Sequence, residues 1–318
     1  PVMRYTPTAE SLAVSWLKFL KVYLLIAGSA VLSDLAVPVP QLSTQKRIAA
    51  VLSAYDDPIE NNDRRITLLE KTAEEIYREW FVRLRFPWHE QATFHKGIPE
   101  GWEVKDLKDA DISIIDGDRG SNYPSKDEFS ESGYCLFLNT GNIKDDKFDF
   151  SKNDFITEQK DSLLGKGKLV FNDIVLTTRG TVGSIAFYSK NLIHQNVRIN
   201  SGMVIFRSKN GENEALYYYY LFKSSLLKDQ YRSYSSGSAQ PQLPIKDLRR
   251  INILIPLEDI AKQFCKLAGI LSDRLDLLQL VNWNLKQTRD RLLTRLISGK
   301  LSVEDLDIQF PPSMTTDP

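Results

Sequence analysis

The chain has 318 residues, 42% hydrophobic, 26% charged and 10% aromatic, the make-up of a globular protein with room for two modest domains or one domain plus long helices. Its 41 basic and 41 acidic side chains leave no net charge, so no global basicity marks a nucleic-acid partner and any such binding has to be local. Two widely separated cysteines, Cys135 and Cys265, match no metal spacing and suit a reducing cytoplasm as buried thiols.

The first element is the apolar run LAVSWLKFLKVYLLIA at 12–27, followed by AGSA. It resembles the apolar stretch of a signal peptide, but Lys18 and Lys21 interrupt it and it is too short to span a bilayer. Leu12, Trp16, Phe19, Leu20 and Tyr23 stand at helical spacing, which predicts an amphipathic helix against a partner surface and no membrane span.

Residues 43–83 carry the clearest pattern. Leu52, Tyr55, Ile59, Asn62, Ile66, Leu69, Ala73, Ile76 and Trp80 recur at steps of three and four, a heptad seam interrupted only by Asn62. Glu60 with Arg64, Glu74 with Arg78, and Glu79 with Arg83 add pairs four residues apart, and Ser43 and Pro87 suit the two ends. At this length a helix reaches about 60 Å, far more than the core of a small domain holds. It has to lie along another helix.

Between 86 and 256 the pattern is mixed α/β. Short runs rich in Val, Ile and Phe predict strands in 111–116, 134–140, 173–180, 184–188 and 201–207. EALYYYYLFKSSLLK at 214–228 predicts one helix, on which consecutive tyrosines point around the circumference, about two of them into the core, rather than forming a base-stacking platform. Charge is uneven: residues 100–161 hold 16 acidic and 8 basic side chains, whereas 162–210 hold seven basic and the single acid Asp173. A local basic portion can bind a polyanion in a neutral chain, although a solvated face gives the same count.

Three loops stand out. GDRGSNYP (117–124), TTRGTVG (177–183) and SSGSAQPQ (235–242) set arginine or glutamine beside small residues. An arginine at a glycine-flanked bend can grip phosphate or read guanine with two parallel hydrogen bonds, and glutamine suits an adenine edge. Glycine-rich turns are common, so each loop alone is a weak signal. Catalytic patterns are not found: GKGK at 165–168 lacks phosphate-loop spacing, Glu100, Glu103 and Lys105 are too close in sequence for a nuclease site, and no tetrapeptide of the amino-methyltransferase kind occurs. His89, His95 and His194 form no metal cluster, and His194 fits a structural role better than a phosphate contact.

The second long helix is predicted at 258–297, with Phe264, Leu267, Leu271, Leu278, Val281, Leu285 and Leu292 on a seam that Arg274 and Thr288 interrupt. A shift of 216 residues brings Pro40 onto Pro256, Lys46 onto Lys262, Asp57 onto Asp273, Leu69 onto Leu285 and Thr72 onto Thr288, with a GSA upstream of each. The chain therefore reads as a repeated pattern of module, GSA loop and long helix.

Taken in order, residues 37–87, GIPEGWEVKDL, IIDGDRGSNYP, DIVLTTRGTVG, NSGMVIFR, SGSAQPQLPIKDL and TRDRLLTRLISGKLSV resemble the DNA-specificity subunit of Type I restriction–modification systems over roughly 28–303. The resemblance implies an α+β protein: a mixed α/β target-recognition domain and two long antiparallel coiled-coil helices. It divides the chain into the stub of a first recognition domain (1–42), a spacer helix (43–85), a recognition domain (86–256), a second spacer helix (257–300) and a tail (301–318). It also implies a cytoplasmic, non-catalytic subunit without metal or cofactor of its own. S-adenosylmethionine would belong to modification subunits, and ATP and magnesium to restriction subunits.

The partners so implied are double-stranded DNA, modification subunits, restriction subunits through the complex, and a second copy of the chain if one recognition domain reads only half of a split target. The DNA-facing residues expected are Arg119, Asn122, Tyr123, Arg179, Gly180, Thr181, Arg198, Ser238, Gln240 and Gln242. Leu52, Tyr55, Ile59, Ile66, Leu69, Ile76, Phe264, Leu267, Leu271, Leu278, Leu285 and Leu292 are expected to form the spacer seam. The competing expectation is a degenerate interaction remnant that no longer binds DNA.

Overall fold

The structure is a computed structural model and describes residues 40–237 and 241–310. The expected stub, up to residue 39, lies outside the described residues. The chain divides into two compact units, one holding the described residues up to Arg65 and from Val281 onward, the other Ile66–Leu280. Its elements are mixed, α+β as the sequence predicts. Among the described residues no helix is long and apolar enough to cross a membrane.

The first long helix, α1, is Leu42–Tyr77, continued by a π-helical turn at Arg78–Val82. Pro58 lies inside it on the exposed side. A proline in a helix interior removes one backbone hydrogen bond and costs about 3 kcal/mol. Burial of the neighbouring seam residue Ile59 helps hold the helix through it. The short helix α2 is Glu158–Leu163. The tyrosine-rich segment forms two helices, α3 (Glu212–Lys223) and α4 (Ser225–Tyr234), where one was expected. Ser224 caps α4, its side chain accepting from the Leu227 N–H and breaking the run. A single turn, α5, is Ile245–Leu248, and the last long helix, α6, is Glu258–Ile297, matching the predicted span.

In the first unit, α1 and α6 run antiparallel. Ile48 packs with Leu296 and Val303, and Leu52 and Leu292 lie half-buried against that cluster. The buried Asn62 donates to Asn282 at 2.9 Å, and Asn282 donates to Asp63 at 2.8 Å. A buried polar pair of this kind pins the register of two helices. Tyr55 and Leu285 are half-buried, and Asp56 pairs with Arg289 at 2.7 Å. The tail folds back, Val303 O accepting from Arg47 Nε at 3.0 Å.

In the second unit the seam continues through Ile66, Leu69, Ala73, Ile76, Leu271 and Leu278, all buried or half-buried. Leu267 departs from the expectation. It is 39% exposed, and Ala268 beside it is buried at 1%. Val281 is likewise exposed, and Asn282 takes the inward position. Spacing decides this: from Phe264, steps of four and three give 268, 271, 275, 278 and 282. Glu74 pairs with Lys223, not with the expected Arg78, which binds Glu75.

Besides two short ribbons, Phe94–His95 with Ile98–Pro99 and Ile143–Lys144 with Lys147–Phe148, the strands are β1 (Glu103–Asp106), β2 (Ile112–Asp116), β3 (Cys135–Leu138), β4 (Phe155–Ile156), β5 (Asp173–Thr177), β6 (Ile185–Tyr188), β7 (Val197–Ile199), β8 (Met203–Ser208) and β9 (Asn252–Ile255). They form an antiparallel sheet in the order β6-β5-β8-β2, a second sheet β7-β3-β4 in which β7 runs parallel to β3, and the ribbon β9-β1. The four-stranded sheet is buried on both faces. Ile174, Leu176, Val204 and Phe206 meet α3 and its neighbours, and Val175, Ile205 and Met203 meet β3 and β7. Tyr217, Tyr218 and Tyr220 are buried and Tyr219 is half-buried, one more core tyrosine than expected. Tyr219 donates to Asp146 O at 3.3 Å, so it offers no free face for a base.

Candidate nucleic-acid interface

Two strands of the four-stranded sheet, β2 and β5, flank β8, end at the same edge and project two of the three loops found in the sequence. β2 ends at Asp116 and leads into 117–124; β5 ends at Thr177 and leads into 178–183. The turn 200–202, joining β7 to β8, lies between them and ties them together. Gly202 O accepts from Thr178 N at 2.8 Å and from Arg179 N at 3.2 Å, while Ser201 O accepts from Arg119 Nη2 at 3.0 Å. Gly117 is required for this approach, since a Cβ there would stand 2.1 Å from Asn200 O.

The third loop joins the other side. Leu243 N donates to Thr178 O at 2.9 Å, and Arg179 forms an antiparallel bridge with Gln242, which exchanges two 2.9 Å backbone bonds with Ser236. The result is an open cleft of about 310 Å³ lined by Asp116, Arg119, Thr178, Arg179 and Gln242, with Leu243, Pro244 and Ile245 as its apolar side. Residues more than a hundred positions apart in sequence thus present their polar ends to one opening.

The two arginines are not equivalent. Arg119 is half-exposed, and its Nε and Nη2 both lie 3.2 Å from the Asp116 carboxylate while Nη2 also reaches Ser201 O. Of its five donors, only the two on Nη1 are left without a partner among the described residues. Arg179 is exposed, and its guanidinium has no hydrogen-bond or ion-pair partner among the described residues. It keeps the whole fork needed for a bidentate contact. Gly180 and Thr181 are exposed beside it, Gly180 at φ +69°, and Thr177 Oγ1 closes the loop by donating to Thr181 O.

A family model described as the Type I restriction modification DNA specificity domain matches residues 99–284, which takes in every residue lining this cleft. The chain belongs to that family. Two curated relatives, both from Methanocaldococcus jannaschii, are the Type I restriction enzyme MjaIX specificity subunit, 29% identical over 86% of this chain, and the MjaVIII specificity subunit, 24% identical over 87%. This chain spans 62% and 64% of their lengths, respectively. Among solved structures, the crystal structure of the S subunit of a Type-I restriction-modification system from M. genitalium superposes with a TM-score of 0.55 at 17% identity, covering 80% of this chain and 61% of that one. At that identity it speaks to the fold alone.

Not every residue expected on the DNA side of this specificity domain lies at the cleft. Arg198 is a correction: it is 5% exposed, its Nε is 2.9 Å from Asp161 Oδ1, its Nη2 donates to Asp161 O, and its Nη1 donates to Lys166 O. It is a buried structural cation, not a surface contact. Tyr123 is half-buried, edge-on to Phe137 at 5.5 Å, and Asn122 donates to Leu163 O at 3.3 Å, so both shape the loop away from the cleft lining. Ser238 and Gln240 lie outside the described residues. His194 stands edge-on to Phe150 and Phe155, and burial pulls its pKa below the ordinary value.

Sequence reasoning missed Asp116 as a member of the cleft. The signal was present, an acid three residues before Arg119 at the end of a predicted strand, but its place opposite Arg179 depends on sheet order. Among the described residues no group of three or more His, Cys, Asp or Glu is arranged to hold a metal ion.

Proposed function

We propose that this chain is a non-catalytic DNA sequence-specificity subunit of a Type I restriction–modification complex, in which the cleft reads the base edges of one half-site. The observation that carries the reading is the convergence of Arg119, Arg179 and Gln242 on one opening, with Arg179 free to fork. Unpartnered guanidinium donors suit the O6 and N7 of guanine in the major groove, and the amide of Gln242 suits an adenine edge. Arg119, held by Asp116 and Ser201, has two donors left and suits a single phosphate or base contact that sets register. The Asp116 carboxylate would repel a phosphate placed in the cleft and can accept from a cytosine amino group, which favours base edges there.

On this reading the antiparallel α1–α6 pair acts as spacer and scaffold for modification subunits, which carry S-adenosylmethionine and methylate adenine. Restriction subunits, using ATP and magnesium, join through the complex in the cytoplasm. One cleft reads one half-site, and a second copy related by a two-fold axis supplies the other.

Arg179→Ala tests the assignment. Binding of the complex with its modification subunit to the target duplex is expected to weaken by about 1–3 kcal/mol, with one target position relaxed. Measured across all single-base variants of the target, an even loss would make Arg179 a phosphate contact. No loss at all would remove it from the interface.

A further inference from the structure

The loop GKGK at 165–168 fits no nucleotide-binding motif, yet its backbone is fixed from two sides. Asp118, in the first cleft loop, accepts from Gly120 N at 2.7 Å through Oδ1, and from Gly165 N at 2.8 Å and Lys166 N at 3.3 Å through Oδ2. On the other side the buried Arg198 donates through Nη1 to Lys166 O. Gly167, at φ +82°, brings the loop so close that a Cβ there would lie 3.1 Å from Ile199 O and 3.3 Å from the Cα of Gly117. Lys166 therefore has both backbone polar groups anchored beside the cleft loop. Its side chain is exposed and takes part in no salt bridge among the described residues.

We infer that Lys166 is a DNA phosphate contact of this subunit and that Asp118 is the positioning residue that holds it in register with the base-reading cleft. The inference rests on the DNA-reading function proposed above and adds a backbone-gripping element to it. A fixed lysine next to a base-reading loop orients the duplex without choosing sequence, which is the division of labour usual at DNA interfaces. The Gly120, Gly165 and Lys166 N–H groups hold the Asp118 carboxyl below its ordinary pKa against the opposing effect of burial, so the clasp is charged at neutral pH. An anion so near DNA is unfavourable by charge alone, and its presence is accounted for by what it positions.

That conflict of signs supplies the test. The full-length chain, in complex with its modification subunit, is titrated with target and scrambled duplexes between about 50 and 200 mM salt. Lys166→Ala is expected to lower the slope of log K against log salt by about 0.9, equally for both duplexes. Asp118→Asn removes a negative charge, which by electrostatics alone strengthens binding. The clasp predicts weaker binding instead, with the same loss of slope and no further loss when Lys166→Ala is already present.

An unchanged slope in Lys166→Ala, stronger binding in Asp118→Asn, or additive effects of the two substitutions would each overturn the inference. Lys166→Ala is a surface change, so its result stands even if Asp118→Asn folds poorly. If Arg179→Ala relaxes the target while Lys166→Ala does nothing, the proposed function survives and this inference fails. If the wild-type complex binds no DNA, both fail.

Discussion

Asp161→Ala is expected to destabilise the Ile66–Leu280 unit by about 3–5 kcal/mol, because it leaves a buried guanidinium without its counter-ion. The Asp161 and Arg198 side chains are 11% and 6% exposed, and Lys168 Nζ lies 2.7 Å from the second carboxylate oxygen. Burial pushes the Asp161 carboxyl up, but the hydrogen bonds from Lys168 and Arg198 outweigh it and hold the group below its ordinary value of 3.8. A carboxylate with a lowered folded-state pKa stabilises fully above its unfolded value, and its contribution disappears as pH falls below 3.8 through the folded one. Chemical denaturation at neutral pH checks the magnitude. The double variant Asp161→Ala/Arg198→Met should recover much of the loss, since an apolar replacement for both partners removes the uncompensated charge. Arg198→Met alone should reduce stability, and it should leave base preference intact. A relaxed target position in that variant would restore Arg198 to the DNA-reading set.

Phe264→Ala is expected to cost a similar amount, about 3–5 kcal/mol, through a cavity in the aromatic core of the same unit. Phe264 is fully buried, and its ring centroid lies 5.1 Å from Phe81, 5.7 Å from Tyr220 and 6.0 Å from both Tyr77 and Trp80. Three of these four rings meet it at interplanar angles of 70° or more, the edge-to-face geometry that aromatic quadrupoles favour. Alanine removes four ring contacts together, those that join α6 to α1, the π-helical turn and α3. For a unit of this size the midpoint should fall by roughly 6–20 °C. Phe264→Leu should retain most of the stability, because it keeps volume in the same seam position. A midpoint within about 2 °C of wild type for Phe264→Ala would show that this cluster does not organise the unit.

Much of this fold was legible because hydrophobic period is a local signal. Both long helices and five strand segments stood out in the sequence, and β2, β3, β5, β6 and β8 fall on those five runs, whereas β1, β4, β7 and β9 lie in none of them. The errors fall where choice depended on distant partners. Leu267 outranks Ala268 in any count of apolar residues, yet a small side chain at the inward position lets the helices approach. Val281 is the apolar choice over Asn282, yet Asn62, 220 residues earlier, pairs with Asn282 and draws it inward. Arg198 sits in the strand Val-Arg-Ile, where alternation places a charged residue outward, but that strand is buried on both faces and Asp161 waits 37 residues away.

The candidate site was legible as loops but not as a place. Glycine and arginine content marked 117–124 and 177–183, and glutamine marked 235–242. Their union follows from β2 and β5 flanking β8 in one sheet and from the backbone bond between Leu243 and Thr178. No local pattern encodes that order. The clasp by Asp118 is hidden for the same reason, its acceptor and donors being 47 and 48 residues apart.

The most direct measurement is to express the chain with a Type I modification subunit and to map methylated adenines across the genome by single-molecule sequencing. The account predicts methylation that requires this chain and falls within one split target whose two halves are related by two-fold symmetry. Methylation unchanged when the chain is omitted, or a target with unrelated halves, would contradict it.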